Sequence, residues 1–62
     1  MSIRMVAAEL YRVMKQIERL EKELENLPEA GSMEREETGR KLREARAEED
    51  RLKKMIEGAK AD

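Results

Sequence analysis

Apolar residues recur along the first half of the chain at intervals that alternate between three and four. Ile3, Val6, Leu10, Val13, Ile17, Leu20, Leu24 and Leu27 form an unbroken series, and charged residues fill most of the positions between them. In heptad notation Ile3, Leu10, Ile17 and Leu24 occupy position a, and the other four occupy d. This spacing gathers all eight side chains on one stripe of a helix, so it predicts a helix over about residues 2–27. Glu18 and Lys22 add a favourable pair four residues apart, acid first. Pro28 disfavours helical geometry at the residue before it and should stop the helix near Asn26 or Leu27.

Pro28, Glu29, Ala30, Gly31 and Ser32 make the single turn-like cluster of the chain. Ser32 has the hydroxyl an N-cap requires, and Glu34, Glu36 and Glu37 place negative charge against the positive end of a helix dipole. A second helix is predicted from about Met33 to Glu57. Gly58 is its expected stop, and Lys53 and Lys54 lie in its closing turns. Gly39 weakens the reading, because an internal glycine costs about 1 kcal/mol relative to alanine. The second stripe is poorer but keeps the period: Thr38, Leu42, Ala45, Glu49, Leu52, Ile56 and Ala59.

A short connection makes neighbouring helices antiparallel, and antiparallel stripes should set a against d. Folding the chain about Gly31 does this. Leu24 meets Thr38, Leu20 meets Leu42, Ile17 meets Ala45, Val13 meets Glu49, Leu10 meets Leu52, Val6 meets Ile56, and Ile3 meets Ala59. Two stripes and a turn thus agree on one register, as a foldable sequence requires. The expected fold is all-α: one domain over residues 1–62, an antiparallel two-helix hairpin of coiled-coil type.

Composition changes that picture by asking what completes the core. Sixty-two residues leave a large fraction of surface exposed unless something adds to the buried interior. There is no cysteine and no histidine, so disulfides, thiolate metal sites and the commonest zinc ligand are excluded. Oligomerisation or a protein partner remains, and dimerisation of two hairpins into a four-helix bundle is the expectation. Charged residues form 47% of the chain, with one aromatic, Tyr11. That mixture suits either a disordered chain or a long helix, and the strict period selects the helix.

Beside the seam of the first helix lie Ala7, Tyr11 and Met14, again at helical spacing, facing the second helix's row of Gly39, Arg46, Lys53 and Lys60. Met55 widens the seam on its other side, and Met5 and Ala8 lie further round the first helix. The first helix is therefore apolar over a broader arc than one partner helix covers. Ala7, Tyr11, Met14, Met55 and Met5 are the candidate interface, for a second copy or for a helix of another protein. Methionine suits both, since its flexible thioether fills irregular gaps.

Glu49 stands at an a position opposite Val13, where a carboxylate is costly unless solvated or paired. The plain reading is a side chain reaching to the edge of the seam, toward Arg46 or Lys53. The sharper one is a device that selects register or partner. Arg43, Arg46, Lys53 and Lys60 form a basic row that could touch phosphates, but the net charge of −1 argues against a dedicated nucleic-acid protein. The acidic cluster of Glu25, Glu29, Glu34, Glu36 and Glu37 is sufficiently explained by capping. No nucleophile with a base, phosphate-binding glycine loop or metal-ligand spacing occurs. An enzyme, a cofactor and a small-molecule substrate are therefore not expected. No window approaches the roughly 20 apolar residues of a membrane span. The first residues lack the features of a secretory signal, so a cytoplasmic address is the expectation.

In size and plan the chain is similar to the Rop-type plasmid copy-number regulators, short helical hairpins that dimerise into four-helix bundles and bind paired RNA loops. Their function is not carried over by this likeness; the alternative function, a small nucleic-acid-associated regulator, rests on the basic face of Arg43, Arg46, Lys53 and Lys60. The likeness is one of plan: no stretch matches their RNA-contacting face residue by residue. The small helical-hairpin chaperones of bacterial secretion systems share the same plan, equally without a common motif.

Overall fold

The computed structural model describes residues 2–28 and 32–60, which form two helices, α1 (Ile3–Asn26) and α2 (Met33–Lys60). Ser2 caps α1: its Oγ accepts from the Met5 amide at 3.3 Å, and its carbonyl accepts from Met5 and Val6. At the other end Leu27, just before Pro28, turns extended (φ −85°, ψ 150°), the geometry a following proline imposes. The Leu27 amide still donates to the Leu24 carbonyl at 3.3 Å, a last tight turn before the chain leaves the helix.

Ser32 caps α2 as expected. Its Oγ accepts from the Arg35 amide at 3.1 Å and its carbonyl from Glu36 at 3.2 Å, with Glu34 and Glu36 in the first turn. Glu37 lies beyond that turn and pairs with Lys41 instead, at 3.9 Å. The predicted stop at Gly58 is a correction: α2 runs through it to Lys60. Gly58 keeps a helical rather than a left-handed backbone, and a β-carbon there would meet nothing within 4 Å. A glycine ends a helix when the chain turns through a positive φ; without that turn it only weakens the last residues. Gly39 likewise sits inside α2.

The helices pack against each other as a hairpin. Arg35, near the start of α2, touches Leu24 near the end of α1, while Met5 and Met55 share a groove at the opposite end. The two helices are therefore antiparallel. The molecule measures 48 × 14 × 14 Å, as expected for two helices of about 36 and 42 Å laid side by side. The turn about Gly31, proposed as the fold point, lies outside the described residues.

One hydrophobic cluster holds the hairpin together. Val6, Val13, Ile17, Leu20, Leu42, Ala45 and Leu52 are buried, with Leu10, Leu24 and Ile56 packed against them. Every one of these belongs to the two heptad stripes. The outermost expected layer does not close: Ile3 is 46% exposed and Ala59 is exposed. No side chain among the described residues is buried completely, and the seven core residues remain 5–8% accessible. The interior is a single seam between two cylinders, with no second layer beneath it.

Candidate functional site

The candidate interface residues all sit at the surface, on two different sides of the seam. Ala7, Tyr11 and Met14 are exposed, Tyr11 at 64% and Met14 at 43%. At about 100° per residue, Met5 lies roughly 160° round the helix from Ala7, 120° from Tyr11 and 180° from Met14. Met5 instead joins Met55 across the seam, lining a groove of about 360 Å³ with Glu9, Glu48 and Leu52. A second shallow groove lies on the other flank of Met5, formed with Ala8, Glu9 and Arg12. The five residues thus make two apolar surfaces.

Charge frames both. On the Met5 side Glu9 pairs with Arg12, and Glu48 pairs with Arg51 one turn along α2. Hydrogen bonding to Glu9, and then its charge, raise the Arg12 pKa above its already high ordinary value. On the Tyr11 side, Lys15 Nζ lies 5.5 Å from the Tyr11 ring centroid, a cation–π contact. Arg46 Nη2 reaches across the seam to Glu21 Oε2 at 2.8 Å. Glu21 shares the heptad row of Ala7 and Met14, so this pair fixes which row of α2 borders that face. By the same heptad register, the next pair toward the open end is Met14 and Lys53.

Glu49 resolves in the plain direction. Its side chain is 24% accessible and its carboxylate faces Lys53 Nζ at 3.7 Å. It stands at the seam's edge, partly solvated, with a loose ion pair. Among the described residues no polar side-chain atom is buried without a partner.

The basic row is largely committed to carboxylates. Arg46 holds Glu21, Lys53 lies by Glu49, and Arg43 is exposed at a shallow groove with Leu24, Arg35 and Gly39. The side chain of Lys60 lies outside what the structure describes. At the tip, Glu29 is also outside the described residues, and among those described no three acidic side chains are arranged to hold a metal ion. The concavities present are shallow and open along the two-helix surface.

Two features escaped the pattern of apolar positions. Arg35 Nη1 donates to the Leu24 carbonyl at 3.1 Å, bridging the start of α2 to the end of α1. The only sequence signal for this is that the last turn of α1 carries no basic residue of its own. Met33, at the start of α2, is also strongly exposed; its place in the first helical turn, off both stripes, was the available sign.

These surfaces define a class: an antiparallel hairpin of two amphipathic helices with exposed apolar flanks. Among the described residues no helix is long and apolar enough to cross a membrane. In comparison with known proteins, the chain matches no family, no curated relative and no solved structure.

Proposed function

We propose that this protein is a non-enzymatic interaction module that works by presenting helix faces, as an adaptor, small chaperone or regulator. In this reading two hairpins pair as a homodimer and complete a four-helix bundle of coiled-coil type. The observation that carries it is the thinness of the core. No described side chain is wholly buried, while Tyr11, Met14, Met5 and Met55 remain on the surface. A chain of this length gains stability by covering such residues, and a second copy is the commonest means.

Nucleic acid as a partner has less support. Phosphate binding needs uncommitted cations, and Arg46 and Lys53 already face carboxylates of their own chain.

Sedimentation equilibrium tests the reading. The expected result is the mass of two chains, with a melting temperature that rises with protein concentration, as linkage to association requires. Met14→Glu or Tyr11→Glu should shift the population toward one chain. A single-chain mass at high concentration, with melting independent of concentration, overturns the proposal.

A further inference from the structure

The charge distribution also specifies how a second copy would sit, an inference that rests on the self-association proposed above. Three observations bear on it. The first is the make-up of the two flanks of α1. The row of Ala7, Met14 and Glu21 is mostly apolar, whereas the row on the other side is Glu9, Gln16 and Glu23. A two-fold pairing through the second row would cover Met5 and Met55 only by setting Glu9, Glu23 and Glu48 against the same carboxylates of the partner. Pairing through the first covers Met14 and the neighbouring Tyr11, both exposed in the single hairpin.

The second observation runs lengthwise. Residues 18–28 and 32–44, toward the connection between the helices, carry eight acidic and six basic side chains. Residues 2–17 and 45–60, toward the open end, carry five acidic and eight basic. The hairpin is thus negative at its tip and positive at its open end. Packed helices lie about 8–10 Å apart, close to the Debye length of about 8 Å at physiological ionic strength, so this polarity acts, partly screened, between packed copies. Copies with their tips at the same end would set like halves together. Copies with tips at opposite ends set each acidic half beside a basic one.

The third is the position of Met14. It lies near the middle of α1 (Ile3–Asn26), with Ala7 and Glu21 one heptad away on either side in the same row.

We infer that two copies pair about a two-fold axis passing by Met14, with their tips at opposite ends and α1 antiparallel to the partner's α1. Met14 then meets the partner's Met14, and Ala7 comes beside the partner's Glu21. The same-end arrangement would place α1 against the partner's α2 and Glu21 near the partner's Arg46, since those two lie at one level of the hairpin. The opposite-end arrangement puts them on opposite sides of the axis. The two arrangements bring different residues together, so they can be told apart by distance.

The chain has no cysteine, which makes disulfide trapping unambiguous. Met14→Cys alone should form an intermolecular disulfide under mild oxidation. A mixture of Ala7→Cys and Glu21→Cys chains should form the mixed disulfide. A mixture of Glu21→Cys and Arg46→Cys should give no mixed product. All four positions are exposed, and circular dichroism confirms that each variant remains helical. A dimer by sedimentation that traps Glu21 with Arg46 overturns the arrangement and leaves self-association standing. A dimer that traps none of these pairs overturns the choice of face. A single-chain mass for every variant and for the unmodified chain removes the self-association itself.

Discussion

The guanidinium of Arg35 donates from Nη1 to the main-chain carbonyl of Leu24 at 3.1 Å, joining the first turn of α2 to the last turn of α1. The final four carbonyls of a helix have no partner within it, and they carry the negative end of its dipole. The last turn of α1 has no basic residue to answer that charge. Arg35 supplies the cation from the other helix and closes the tip of the hairpin.

Arg35→Ala should therefore destabilise the protein by about 1.5–3 kcal/mol, the range for hydrogen bonds to charged groups. For a domain of this size each kcal/mol lowers the melting temperature by about 4–8 °C. Arg35→Lys should recover part of the loss, since it keeps the charge but not the planar fork. A thermal melt of the three proteins checks this. Equal stability of Arg35→Ala and the parent would remove the contact as a support of the turn.

The core predicts a graded series. Leu52 is buried in the central cluster, whereas Ile3 lies half exposed at the open end. Leu52→Ala should cost about 2–5 kcal/mol. A 62-residue chain is expected to hold only about 3–9 kcal/mol in total, so this variant should be largely unfolded or close to it. Ile3→Ala should cost less than about 1 kcal/mol, because little surface leaves water there. Urea titration of both should separate them clearly, and comparable losses would contradict a seam that is open at that end.

The division between what was legible in the sequence and what was not follows from physics. Two helices, their antiparallel packing and every core residue are visible in the stripes, because burial on one side of a helix leaves a period that side chains cannot hide. Ser32 is visible because a hydroxyl before a helix has one common use. Gly58 misleads, since composition identifies a glycine but not its φ. The end layer of Ile3 and Ala59 is opposed in pattern yet does not close, for a stripe does not report how far packing extends. Arg35 is invisible to periodicity because its partner is a main-chain carbonyl, eleven residues away and chemically identical to every other. The candidate surfaces are legible as exposed apolar positions. That Met5 and Met55 share one groove depends on how two helices lie together, which heptad letters only outline.

Glu49 interrupts an otherwise apolar stripe at a position near Val13, Ala45 and Leu52. Its carboxylate is 24% accessible and lies 3.7 Å from Lys53 Nζ, too far for a strong hydrogen bond. A leucine there would add apolar burial to the seam, and a loose, partly solvated ion pair contributes little in return. Glu49→Leu should raise stability by about 1 kcal/mol, read as a higher melting temperature. Lys53→Ala should change it by only a few tenths of a kcal/mol. A fall in the melting temperature of Glu49→Leu would mean that the carboxylate has a partner it cannot lose, and would favour a role in selecting register or partner.

Arg46 and Glu21 form the ion pair that crosses the seam, at 2.8 Å, whereas the other ion pairs among the described residues lie within one helix. Both side chains are about half exposed, so water and salt screen the attraction. A double-mutant cycle of Glu21→Ala and Arg46→Ala should give a coupling of about 0.2–1 kcal/mol. That coupling should shrink as salt rises, because the Debye length falls to about 3 Å at 1 M. Reversing the pair, with Glu21→Arg and Arg46→Glu together, should restore most of the stability that either reversal alone removes. Additive losses with no coupling at low salt would mean that the two side chains share a face without holding the helices in register. The seam would then rest on its apolar residues alone.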